Sequence, residues 1–177
     1  LYVADNMNSL VRKITSGGVV TTLAGSTNGT GSADGTAGAA RFDGPFGVAV
    51  DNSGNVYVAD YRNQLIRKIT PLGAVTTLAG MTGLHSTDDG TGPEARFNFP
   101  EGVAVDRDGN VYVADASNHA IRKGQPALPD IPVVDLPQAN PGVTRHLDVT
   151  NLTTTAWSWQ IARYPATSSA QLSDTTI

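Results

Sequence analysis

Apolar and polar positions over the first 123 residues follow a pattern that returns every 55 residues, with Tyr2-Val3-Ala4-Asp5 recurring at Tyr57 to Asp60 and at Tyr112 to Asp115. Within one period four short runs read as strands: 47–51, 56–60, 65–70 and 74–79. The first two runs are apolar at nearly every position, where a sheet with one wet face would alternate. Such strands need cover on both sides. Copies of the same unit standing face to face supply that cover, and a lone unit would lack it.

The repeat is regular along its length. Residues 1–25 and 56–80 agree at 17 of 25 positions, and residues 38–60 and 93–115 at 16 of 23, with no insertion or deletion. The turns carry matching chemistry. Asn52-Ser53-Gly54, Arg107-Asp108-Gly109 and Pro71-Leu72-Gly73 each put glycine where a three-residue hairpin loop needs positive φ. Asn8, Asn63 and Asn118 fall between the second and third strands, where asparagine tolerates the left-handed region. The rest of each period, residues 26–46 and 81–101, is a long connection rich in Gly, Thr and Asp.

These residues resemble the NHL repeat. The resemblance lies in Arg41-Phe42, Pro45, Gly47 to Asp51, Gly54 to Asp60, Asn63 and Ile66 to Ile69, and in the copy 55 residues later. The segments Val20 to Gly25 and Val75 to Gly80 are similar to the long-period variety carried by teneurin-type domains and by large bacterial exported proteins. The resemblance covers residues 1 to about 123 and implies an all-β, incomplete β-propeller of about two to three four-stranded antiparallel blades, in a family whose propellers commonly have six. A ring needs at least about four blades, so further blades are expected upstream of Leu1.

Composition shifts after Lys123. Seventeen of the 19 glycines lie before it, while Pro126, Pro129, Pro132, Pro137 and Pro141 crowd the following stretch. Residues 124–141 therefore read as a semi-rigid linker. Residues 142–177 hold β-prone runs, with Trp157 and Trp159 two apart on one strand face. The stretch Ala156 to Ser173 is similar to PKD-like modules, which implies the start of a truncated immunoglobulin-like β-sandwich.

Charge and composition narrow the function classes. The chain has 12 Lys and Arg against 16 Asp and Glu, and residues 1–123 have 10 against 12. A nucleic-acid partner, which an RNA-binding NHL domain would require, is not expected without a basic face. There is no cysteine, hence no disulfide or thiolate site, and no apolar run long enough to span a membrane as a helix.

Candidate chemistry is sparse. Asp34 and Asp89, with Asp88, sit in the long connections beside Gly35 and Gly90, where they would present carboxylates to a ligand or simply build turns. Asp5, Asp60 and Asp115 recur with Arg12, Arg67 and Arg122, and with Asn63 and Asn118. This periodicity predicts structural ion pairs or turn hydrogen bonds, taken as surface pairs of about 0–1 kcal/mol each. Asp106-Arg107-Asp108-Gly109-Asn110 looks like a calcium loop, but Ser117 stands where the bidentate Glu is needed, so a hairpin turn is expected. His85, His119 and His146 do not recur with the repeat and share no ligand spacing. Neither a cofactor nor a metal site is predicted, and no catalytic constellation is visible. The expectation is a non-catalytic binding or scaffold module for a protein or carbohydrate ligand, in a secreted, periplasmic or cell-surface protein. The alternatives are a propeller lyase or hydrolase acting at a central channel, and an RNA-binding domain.

Overall fold

The computed structural model describes residues 1–126 and the backbone of 157–161. Its strands fall into three antiparallel sheets. The first holds β1 (Tyr2–Asp5), β2 (Leu10–Ile14) and β3 (Val20–Gly25), in that order. The second comprises β4 (Gly35–Thr36), β5 (Pro45–Val50), β6 (Val56–Asp60), β7 (Leu65–Ile69) and β8 (Ala74–Gly80). The third comprises β9 (Gly90–Thr91), β10 (Pro100–Val105), β11 (Val111–Asp115), β12 (Ala120–Pro126) and β13 (Trp157–Ile161). The second sheet is ordered β5-β6-β7-β8-β4 and the third β10-β11-β12-β13-β9.

Each sheet is a blade, and the blades pack face to face through two apolar clusters. Val11, Ala24, Phe42, Val56, Val58, Ile69 and Val75 fill the space between the first and second blades. Tyr57, Ile66, Leu78, Phe97, Val111 and Val113 fill the space between the second and third. Strand alternation explains the division: Val56 and Val58 of β6 face one neighbour while Tyr57 faces the other. Each fully buried Val, Ile or Phe contributes about 1.5–3 kcal/mol. The architecture is therefore all-β, an incomplete propeller. On the outer face of the third blade Ile121 is 49% exposed, whereas its equivalents Val11 and Ile66 are fully buried between blades.

Glycine is required at two kinds of place. Gly54 and Gly109 have φ of 81° and 83°, closing the β5–β6 and β10–β11 hairpins. At Gly47 an added Cβ would collide with the Glu101 carbonyl, so β5 and β10 approach there backbone to backbone.

The described residues add to the expected strands and correct the expected turns. Beyond the four expected strands, Gly35–Thr36 and Gly90–Thr91 in the long connections each add a two-residue fifth strand at a blade edge. In the turns after β1, β6 and β11 the left-handed residues are Ser9, Gln64 and His119, one place after the asparagines. The asparagines instead bond to the aspartates, which holds the preceding 310 turn.

The C-terminal part contributes one described strand. Trp157–Ile161, which falls within the residues 142–177 expected to start a sandwich, pairs antiparallel with β12 and with β9. Arg122 faces Ile161 there, as Arg67 faces Thr77 in the second blade. The later segment thus takes the place that β8 occupies one blade earlier. Strand β12 itself runs on to Pro126, into the expected linker. The rest of that linker and of residues 142–177 lies outside the described residues.

Candidate functional site

The charged residues that recur in the sequence meet in one motif. Asp60 ends β6, and the 310 turn Tyr61–Asn63 brings the chain back into β7, so that Arg67 lies beside Asp60. Arg67 Nη1 donates to Asp60 Oδ2 at 2.9 Å and to the Arg41 carbonyl at 3.1 Å. Its Nη2 donates to Asp34 Oδ1 at 2.8 Å and to the Ala33 carbonyl at 3.1 Å. The guanidinium lies 5.2 Å from the centre of the Phe42 ring. Asp60 Oδ1 accepts the Asp43 N–H, and Asn63 Nδ2 donates to Asp60 Oδ2 and to the Gly31 carbonyl. Together these bonds fasten the long connection onto the second blade.

The third blade repeats the arrangement. Arg122 binds Asp115 at 3.1 Å, Asp89 at 2.6 Å and the carbonyls of Arg96 and Asp88, over the Phe97 ring at 5.1 Å. Asn118 bonds Asp115 and the Ser86 carbonyl. In the first blade Arg12 and Asp5 are 3.5 Å apart with side chains 29% and 27% exposed, while Arg67, Asp60, Arg122 and Asp115 are all 0% exposed. The reading of these as surface pairs is thus corrected for the two blades that carry a preceding connection, because that connection covers the pair. Burial pushes the Asp60 carboxyl up to about 6, against hydrogen bonds from Asn63 and the Asp43 N–H and the charge of Arg67.

The carboxylates singled out as ligand-facing are engaged within the fold. Asp34 accepts from Arg67 and also from the N–H and hydroxyl of Thr77. Asp89 is held by Arg122, and Asp88 accepts the Ser86 hydroxyl while its carbonyl takes Arg122. In the calcium-like turn, Asp106 accepts from the N–H groups of Asp108 and Asn110, from Asn110 Nδ2 and from the Tyr112 hydroxyl. Asp51 accepts the same set from Ser53, Asn55 and Tyr57. At Asp106 these bonds, led by Asn110, hold the carboxyl below its ordinary value. At Asp51 burial pushes upward, but the hydrogen bonds outweigh it and the net shift is down. Among the described residues no group of three His, Asp or Glu side chains is placed to hold a metal ion. His85 and His119 are exposed, and His146 lies outside the described residues.

A different set of residues is exposed at one end of the blades. Phe46 near the start of β5, Tyr61 in the turn after β6 and Phe99 just before β10 form a chain of rings. Phe46 and Tyr61 are 5.8 Å apart with planes tilted by 35°, and Tyr61 and Phe99 are 4.9 Å apart, tilted by 38°. Phe46 is 54% exposed and the other two rings are half-buried. Arg62 and Asp43, 3.4 Å apart, lie beside this cluster, as does Asn6, which donates to the Pro45 carbonyl.

None of the three rings belongs to the repeat. Fifty-five residues away stand Glu101 for Phe46, Asn6 and Ala116 for Tyr61, and Gly44 for Phe99. Matching the copies emphasises what they share and leaves these positions out of sight. Subtracting the copies would have found them.

The geometry is that of a known repeat. The profile of the NHL repeat matches residues 42–69 and 97–123, which span β5–β7 and β10–β12. Those two stretches are similar to NHL repeats. Human Teneurin-4 is 33% identical over 98 residues, covering 46% of this chain and 4% of that protein. A structure of a protein of unknown function from Bacteroides thetaiotaomicron is 38% identical with a TM-score of 0.64, covering 69% of this chain and 31% of that one. A structure of an auxiliary nutrient binding protein from the same organism is 28% identical with a TM-score of 0.56, covering 66% of this chain and 32% of that one. The chain spans under a third of each.

Proposed function

We propose that these NHL blades are a non-catalytic binding and scaffold module of an exported or cell-surface protein, taking a protein or carbohydrate ligand at the end of the blades that carries Phe46, Tyr61 and Phe99. The observation that carries this reading is the division of labour among side chains. The recurring charged residues are spent on fastening connections to blades, while the aromatic residues that break the repeat cluster at one end of the scaffold. Buried ties give rigidity, and a rigid scaffold presenting non-repeating loops is a common arrangement for recognition. Likeness to a protein named for nutrient binding supports the same class. Fold alone does not assign a ligand, and it is the aromatic cluster that points to one.

The test is equilibrium binding of the immobilised chain to separate panels of soluble polysaccharides and purified extracellular proteins. A saturable, reversible response to at least one member, with the ligand recovered unaltered, is expected. Absence of any saturable response, or conversion of the ligand, would reject the reading.

A further inference from the structure

We infer that Phe46, Tyr61 and Phe99 form a stacking platform for a pyranose ring of an oligosaccharide, an inference that rests on the binding role proposed above. Four observations lead there. The first is that all three rings depart from the repeat and still meet, at 4.9 and 5.8 Å. An interior packing role would recur with the blades, as Phe42 and Phe97 do between their sheets.

The second is the backbone at Phe99. Its φ is 51°, in the left-handed region that a bulky side chain rarely occupies. The equivalent residue, Gly44, has φ of 62°. The conformation therefore belongs to the repeat, and glycine meets it without strain. Phenylalanine is held there against its preference, and strain of this sort concentrates at functional sites.

The third is exposure. Phe46 leaves more than half its surface in water, and the Tyr61 hydroxyl makes no hydrogen bond to a described residue. An apolar surface with a free phenol at its centre has both things a sugar ring needs. The C–H face of a pyranose packs on aromatic carbon, and its rim of hydroxyls takes hydrogen bonds.

The fourth is the polar border. Asp43, Arg62 and Asn6 offer acceptors and donors of both signs around the rings. A single-stranded nucleic acid would also stack on such rings, but it needs a basic groove along its backbone. Here the bordering cation, Arg62, already faces Asp43 at 3.4 Å, and the chain is acidic overall. The border suits a neutral, hydroxyl-rich ligand better than a polyanion.

The experiment is isothermal titration of the full chain with cellohexaose, xylohexaose, mannohexaose and laminarihexaose, and with a dT oligonucleotide as the polyanionic stacking ligand. Each titration is repeated with Tyr61→Ala, Phe99→Gly and Leu72→Ala. Leu72 is an exposed apolar residue in the β7–β8 hairpin, which lies at the opposite end of the blade. At least one hexasaccharide should bind, with affinity about tenfold weaker in Tyr61→Ala and in Phe99→Gly and unchanged in Leu72→Ala. Phe99→Gly should also unfold within about 2 °C of the parent, because relief of strain offsets the lost ring contact. A loss of more than about 5 °C would make Phe99 a packing residue and overturn the inference. So would saccharide binding that survives Tyr61→Ala, or binding of the oligonucleotide alone. If a protein ligand binds saturably and no saccharide does, this inference falls and the broader binding role stands. If nothing binds, both fall.

Discussion

Replacing Arg67 by methionine removes a fully buried cation and keeps most of the volume. It deletes the ion pair to Asp60 at 2.9 Å, the one to Asp34 at 2.8 Å and the bonds to the carbonyls of Arg41 and Ala33. Asp60, itself 0% exposed, is left charged with donors only from Asn63 and the Asp43 N–H. Breaking a buried pair from one side costs about 3–5 kcal/mol, a large part of the 5–15 kcal/mol typical of a domain. With a urea slope of about 2 kcal/mol/M, the midpoint should fall by about 2 M. Arg122→Met should cost as much, since its partners repeat. Arg12→Met is the internal control: that pair is wider at 3.5 Å and partly exposed, so its loss should cost about 0–1 kcal/mol. The Arg67→Met deficit should also depend on pH. Without the cation the folded-state value of Asp60 rises above about 6, while in the unfolded chain it returns to 3.8. The folded form then holds the proton more tightly, so stability is regained as pH falls from 8 to 5. Urea unfolding followed by circular dichroism at both pH values reads all of this. Equal midpoint shifts for Arg67→Met and Arg12→Met would refute the reasoning.

Two further outcomes are expected. Asp51 and Asp106 have folded-state values below the ordinary 3.8, so their hairpin bonds contribute fully above about pH 4 and are lost as pH falls through the lowered values. The difference in melting temperature between parent and the double variant Asp51→Asn, Asp106→Asn should be flat from pH 5 to 7 and shrink below pH 4, and a difference that grows with acid would contradict this. Ser158→Pro puts a residue without N–H where β13 is paired on both sides, to Gln125 and to Thr91, and should destabilise by about 1–3 kcal/mol. An unchanged melting curve would show that β13 adds nothing to the third blade.

The blades are legible in the sequence because two-sided burial leaves a mark that periodicity exposes. Val56, Val58, Val111 and Val113 are apolar since each touches a neighbouring sheet, and Gly54 and Gly109 mark hairpins that only positive φ can close. The burial of the recurring Asp and Arg pairs is not legible in this way, because the cover over Arg67 comes from two carbonyls and a carboxylate 26 to 34 residues earlier, a distance no local pattern reports. The pairing of Trp157–Ile161 with β12 is not legible for a similar reason. The register that pairs this strand with β12 depends on blade geometry, and its sequence does not resemble Val75 to Gly80, which holds the same place one blade earlier. The aromatic cluster was hidden for the opposite reason, being made of the residues that do not repeat.

The side-by-side arrangement of blades is most directly read from nuclear Overhauser contacts in a sample with labelled methyl and aromatic groups. Phe42 should show contacts to methyls of Val11, Val58 and Ile69, while Phe97 should show them to Ile66, Leu78 and Val113. Each ring should stay within its own set, since β6 and β7 stand between them. Contacts from Phe42 to Val113, or from Phe97 to Val11, would mean that the sheets are not stacked in chain order, and the blade arrangement with every role assigned to it would have to be abandoned.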